Sequence, residues 1–81
     1  MFCIYVLKSG KNGKRYVGSS SKSGEERVIE HNAGTNIFTR QNRPWALIHQ
    51  EAFATQSEAL RREKFLKSGQ GRKWLDENVR E

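Results

Sequence analysis

Two short runs rich in β-branched and aromatic residues open the chain, roughly Phe2–Lys8 and Arg15–Ser20, joined by a Gly/Asn/Lys turn. They read as a β-hairpin, because Asn12-Gly13 suits a type I′ turn, which needs two residues tolerant of positive φ. With Asn12 and Gly13 as the loop residues, Lys11 faces Lys14, Ser9 faces Tyr16, Leu7 faces Gly18 and Tyr5 faces Ser20. Side chains alternate along a strand, so Cys3, Tyr5, Leu7 and Ser9 share a face with Tyr16, Gly18 and Ser20. Both tyrosines then lie on one side, with Gly18 leaving a gap beside them. A longer loop or a bulge changes this register.

After a serine-rich loop, Ser23 with Glu26 is a capping-box pattern that starts a helix near Gly24 or Glu25, and Asn32-Ala33-Gly34 ends it. Val28 and Ile29 are its expected apolar contacts. Arg27 and His31, at i and i+4, share a face. Thr35–Arg43 is polar and basic and reads as a loop. Pro44 opens a third strand, Trp45–Phe53, with Trp45, Leu47 and Phe53 on one parity and Ala46, Ile48 and Ala52 on the other. Thr55 with Glu58 starts a second helix that runs to about Lys67. Its expected core face is Ala59, Leu60, Glu63 and Leu66. Ser68-Gly69-Gln70-Gly71 breaks it, and a short last helix, Gly71–Asn78, places Trp74 and Leu75 against the core. The order β-β-α-β-α-α predicts an α/β (α+β) fold, a mainly antiparallel three-stranded sheet packed with about three helices.

Eighty-one residues, 35% of them hydrophobic, suit a single domain over 1–81 with a small core. No apolar run is long enough to span a bilayer and no signal-peptide pattern is present, so an intracellular, cytoplasmic setting is expected. One cysteine, Cys3, excludes a disulfide within the chain, and two histidines are too few for a multi-His metal centre. Fifteen Lys and Arg against nine acids give a net charge of +6. The charge is spread over Lys8–Arg15, Arg40–Arg43 and Arg61–Lys73, so it belongs to a folded surface rather than a tail. An anionic partner, commonly nucleic acid, is implied. A merely soluble basic surface is the alternative.

Glu63 is the informative acid. Glu58 is explained by a cap, whereas Glu63 sits inside the apolar stripe, where a carboxylate is costly without a cation. Its partner is either Lys67 at i+4, an Arg from elsewhere, or a divalent metal held through one carboxylate plus water and phosphate oxygens. Tyr5 and Tyr16 read as ordinary strand residues or as paired phenols, and Arg27 and His31 as solvated or functional.

The triplets Cys3-Ile4-Tyr5 and Tyr16-Val17-Gly18, the helix with Arg27 and His31, Glu63 on the later long helix, and the stretches RVIEHNAG, RPW, SEALRREKFLKSG and GRKWL form one ordered set. That set resembles the GIY-YIG endonuclease superfamily over nearly the whole chain. It is similar to the small stand-alone members and to the catalytic N-terminal domain of the excinuclease incision subunit. Cys3 stands where the family has glycine, and Val17 where it has isoleucine.

The resemblance implies a metal-dependent DNA endonuclease of repair or recombination, hydrolysing phosphodiesters, with branched or damaged DNA as a partner. Glu63 would hold a single Mg²⁺ or Mn²⁺. Tyr16 would take the proton of the attacking water with Tyr5 in the same network, Arg27 would stabilise the scissile phosphate, and His31 would orient a tyrosine or move protons. A tyrosine of pKa roughly 10 is a poor base at neutral pH, and close cations such as Arg27 would lower that value. Lys14, Arg15, Arg40, Arg43 and Arg72 would grip flanking phosphates. Asn78 is the residue available for the late asparagine that many members carry. Two other classes stay open: a nucleic-acid-binding module of the same fold that does not cut, and a protein-interaction domain with a basic surface.

Overall fold

The computed structural model describes residues 1–34 and 36–79; Thr35, at the head of the expected loop, lies outside them. β1 (Phe2–Ser9) is the central strand of a three-stranded sheet. β2 (Arg15–Ser20) and β3 (Trp45–Phe53) flank it, both antiparallel, in the order β2-β1-β3. The helices are α1 (Gly24–Ala33), α2 (Ile37–Gln41), α3 (Gln56–Lys67) and α4 (Gly69–Asn78). The fold is the expected α+β sheet with helices, with one more helix than expected: the order is β-β-α-α-β-α-α.

The hairpin register differs from the tight-turn expectation. Leu7 pairs with Tyr16, Tyr5 with Gly18 and Cys3 with Ser20, a slip of two residues. A type I′ turn needs positive φ at both loop residues, but only Gly13 has it, at 76°. Ser9 organises a longer loop instead. Its Oγ accepts the N–H groups of Lys11 and Asn12, and its carbonyl accepts that of Gly13 at 2.9 Å. Because side chains alternate with period two, a slip of two leaves every residue on its expected face. The two tyrosines still share a side.

β3 carries a correction of the opposite kind. Its register on β1 shifts between Val6 and Leu7, where Val6 pairs with His49 but Leu7 with Leu47. The extra residue, Ile48, is a β-bulge that reverses parity beyond it. Trp45 and Leu47 therefore pack with Tyr5 and Leu7, while Phe53 packs with the opposite cluster of Ile4 and Val6. The single parity expected for Trp45, Leu47 and Phe53 does not hold.

The sheet is covered on both faces. One core joins Tyr5, Leu7 and Trp45 with Val28 of α1; the other joins Ile4, Val6 and Val17 with Ala59 and Leu66 of α3 and Leu75 of α4. α1 begins at the Ser23 cap and stops at Gly34, whose φ of 90° is left-handed. Ile29 points away, 69% exposed, so Val28 alone supplies the expected contact. On α3, Ala59 and Leu66 are buried but Leu60 is half exposed. Ala59, Arg62, Glu63 and Leu66 follow the i, i+3, i+4, i+7 spacing; Leu60 lies about 100° round from Ala59.

α4 starts two residues earlier than expected. Ser68 ends α3 and caps α4 together, accepting the Gly71 N–H at 3.1 Å. α2 occupies the stretch expected to be a loop. The Asn36 side chain accepts from Phe38 N and Thr39 N, a cap with no acid three residues on to announce it. Among the described residues no helix is long and apolar enough to cross a membrane.

Candidate active site

β2 is an edge strand, and Tyr5, Tyr16 and Glu63 meet along it from both layers. On one face Tyr5 is buried and its ring lies directly over Gly18. A Cβ added there would run into the phenol oxygen and sit 2.6 Å from Tyr5 Cζ. The gap expected beside Gly18 is thus filled by the Tyr5 phenol.

That phenol heads a directed chain of hydrogen bonds. Arg27 Nε donates to Tyr5 Oη at 3.2 Å, and Tyr5 Oη meets His31 Nε2 at 3.1 Å. His31 Nδ1 meets Thr39 Oγ1 at 3.0 Å, and Thr39 Oγ1 donates to the Asn36 carbonyl. With the threonine proton committed to Asn36, His31 Nδ1–H must donate to Thr39. Nε2 is then the acceptor for the Tyr5 O–H. His31 is 1% exposed and bonded to the Tyr5 phenol, so the solvated alternative fails for it. Burial, then the Arg27 charge, push its imidazole below the ordinary range, which keeps it neutral.

Arg27 acts on Tyr5 rather than on Tyr16. Burial raises the Tyr5 phenol above its ordinary value; the Arg27 hydrogen bond and charge pull it back only in part, and the Tyr16 and Glu63 groups push it further up. Arg27 thus lowers the Tyr5 value as expected of a close cation, but desolvation outweighs it and the net direction is upward. Arg27 also pairs with Glu30, leaving its Nη2 with a long 3.5 Å contact to His31.

Tyr16 is packed but not bonded. Its ring lies 4.8 Å from His31 and 6.4 Å from Tyr5 by centroid, and its hydroxyl has no hydrogen bond among the described residues.

Glu63 comes from the opposite layer. Ser19, the residue after Gly18, donates its hydroxyl to Glu63 Oε1 at 2.6 Å, and Lys67 Nζ lies 2.6 Å from Oε2. Burial would raise the carboxyl; the lysine and serine outweigh it and hold it below the ordinary range. The lysine alternative for its partner is realised. Among the described residues no hydrogen bond joins Glu63 to either tyrosine, although its charge reaches Tyr5.

The donors at Glu63 are those of a hard cation. No group of three His, Cys, Asp or Glu that could hold an ion occurs among the described residues. What Glu63 offers is one partly exposed carboxylate beside a hydroxyl, hard oxygen donors suited to Mg²⁺ or Mn²⁺ completed by water and phosphate oxygens. Such an ion would compete with Lys67 for the carboxylate.

A groove of about 630 Å³ runs along this edge, lined by Tyr16, Phe38, Lys8, Lys14, Arg15, Lys67 and Arg72 among others. Lys14 and Arg72 of the expected phosphate-gripping set lie in it. Arg15 does too, held by Asp76. Arg40 and Arg43 do not line it. Arg43 bonds the Asn32 and Arg40 carbonyls at 3.1 Å, tying α1 to α2. Asn78 is exposed and bonds Trp74 O of its own helix at 2.9 Å, so it is not brought to the site. Cys3 bonds Lys22 O at 2.9 Å, and burial raises its thiol.

Sequence reasoning missed Ser19, Thr39, Lys8 and Phe38 and weighed Lys67 only as a rival partner. The one visible signal was Phe38, an aromatic within a polar, basic stretch.

Residues 1–75 match the model of the GIY-YIG catalytic domain. A UPF0213 protein of Staphylococcus saprophyticus is 44% identical over 66 residues, covering 80% of this chain and 78% of its own. A UPF0213 protein of Halobacterium salinarum is 41% identical over 64 residues, 78% of this chain and 80% of its own. One of Staphylococcus haemolyticus is 38% identical over 66 residues, again 80% and 78%. With the paired triplets, the two helices and the edge-strand cluster in place, the chain belongs to the GIY-YIG catalytic-domain family.

Proposed function

We propose that this protein, as one domain over 1–81, is a divalent-metal-dependent endonuclease that hydrolyses phosphodiester bonds in DNA. Repair or recombination substrates, branched or damaged, suit the likeness to the excinuclease catalytic domain. The observation that carries the proposal is the meeting of two layers at consecutive residues of β2. Gly18 carries the Tyr5–Arg27–His31 network, and Ser19 holds Glu63, beside a basic groove that contains Tyr16.

Glu63, with the Ser19 hydroxyl beside it, would hold Mg²⁺ or Mn²⁺, which would supply Lewis-acid polarisation of a phosphate. Tyr16, whose hydroxyl is uncommitted among the described residues, acts in its phenolate form: it takes the proton of the attacking water and becomes the neutral phenol. Arg27 offers Nη2 to a phosphate oxygen and stabilises charge developing there. His31 fixes the Tyr5 phenol, and Tyr5 in turn fixes Arg27. Lys14, Lys67 and Arg72 hold flanking phosphates.

The test is cleavage of plain, flapped and branched duplexes with Mg²⁺ or Mn²⁺. Wild type should cut, and Glu63→Gln and Tyr16→Phe should each slow it by about 100-fold or more. Wild-type cutting no faster than that of Glu63→Gln overturns the proposal. The non-cleaving module of the same fold is favoured by one feature: both key charges are already neutralised, Glu63 by Lys67 and Arg27 by Glu30. Salt-sensitive DNA binding without any nicking would establish it.

A further inference from the structure

The groove wall beyond Tyr16 carries a side chain the hydrolysis does not use. Phe38, in the first turn of α2, lines the groove yet is 42% exposed. Its ring stacks on Tyr16 at a centroid distance of 6.3 Å and an angle of 30°, and lies 6.2 Å from Trp45.

This mounting is held firmly. Trp45 is buried and donates Nε1 to Thr39 O at 2.7 Å, and Thr39 Oγ1 is engaged by His31. The short helix that bears Phe38 is thus pinned to the same imidazole that orients Tyr5. Elsewhere along the groove stand Lys14, Lys67 and Arg72.

A cationic channel with a partly exposed aromatic ring matches unpaired nucleic acid. The cations track the phosphates, and the ring stacks a base whose face is free. In a duplex those faces are covered by neighbouring pairs. We infer that Phe38 is the stacking platform for an unpaired nucleobase next to the scissile phosphate. The preferred substrate is then single-stranded DNA, including the single-stranded arm of a branched molecule. The placement beside a scissile phosphate rests on the endonuclease proposal; base stacking itself does not.

The experiment separates the two. The full-length protein is titrated, in EDTA so that nothing is cut, into a single-stranded oligonucleotide carrying 2-aminopurine and into a duplex of the same length. Wild type should quench the probe and prefer the single strand. Phe38→Ala should weaken single-strand binding about ten-fold and abolish the quenching, with duplex binding unchanged. Phe38→Trp should keep both. Phe38→Ala binding the single strand as tightly as wild type overturns the inference, whether or not wild type cuts DNA. So does an equal loss on both probes, or a change only in self-association. Phe38-dependent quenching in a protein that never cuts would support this inference while overturning the endonuclease proposal.

Discussion

Gly18 decides where the Tyr5 phenol can lie. The position is buried, and an added methyl would collide with Tyr5 Oη, whose ring is itself 1% exposed. Gly18→Ala is expected to destabilise by about 1–3 kcal/mol through overpacking and to break the Arg27 and His31 bonds. Urea midpoints read the first effect, and the nicking rate reads the second. His31 gives a prediction in pH. Its folded-state value is pushed below the ordinary 6.5 by burial and by Arg27. The unfolded chain therefore takes up a proton near 6.5 that the folded chain still refuses. The stability from this group is full above that point and is lost as pH falls from it towards the lowered folded value. Wild-type urea midpoints should drop from about pH 7.5 to 5.5, above the carboxylate range, and His31→Gln should flatten that slope.

Within α3, the turn that carries Glu63 also carries its competitor. Lys67 lies one turn on, its side chain 55% exposed, so its hold on the carboxylate is that of a surface pair. Lys67→Met should leave stability nearly unchanged and strengthen Mn²⁺ binding by about two- to five-fold. Glu63→Gln should remove that binding, and both effects can be followed by the spin-resonance signal of free Mn²⁺. Equal Mn²⁺ affinity in all three proteins would refute Glu63 as a ligand. α2 shows why a short element matters: five residues place Thr39 under His31 and Phe38 in the groove. Its only announcement is the Asn36 cap, which a loop would carry equally well, and five residues are too few to display a helical period.

Across the molecule, the +6 charge is not uniform in effect. Lys8, Lys14, Lys67 and Arg72 border one groove, while Arg40 and Arg43 lie off it. Arg72→Ala should lower the slope of log affinity against log salt by about 1, and Arg40→Ala should leave it unchanged. Element spans were legible from the chain alone because caps and turns act over a few positions, as Ser23 with Glu26, Thr55 with Glu58, and Gly34 do. The shared face of Tyr5 and Tyr16 was legible too, since parity survives a slip of two. The bulge at Ile48, the meeting of Ser19 with Glu63 and the seating of His31 on Thr39 were decided only by tertiary structure. The bulge is a property of two strands in register. The two contacts join side chains of separate elements, β2 with α3 and α1 with α2, where spacing along the chain says nothing about which side chains will touch.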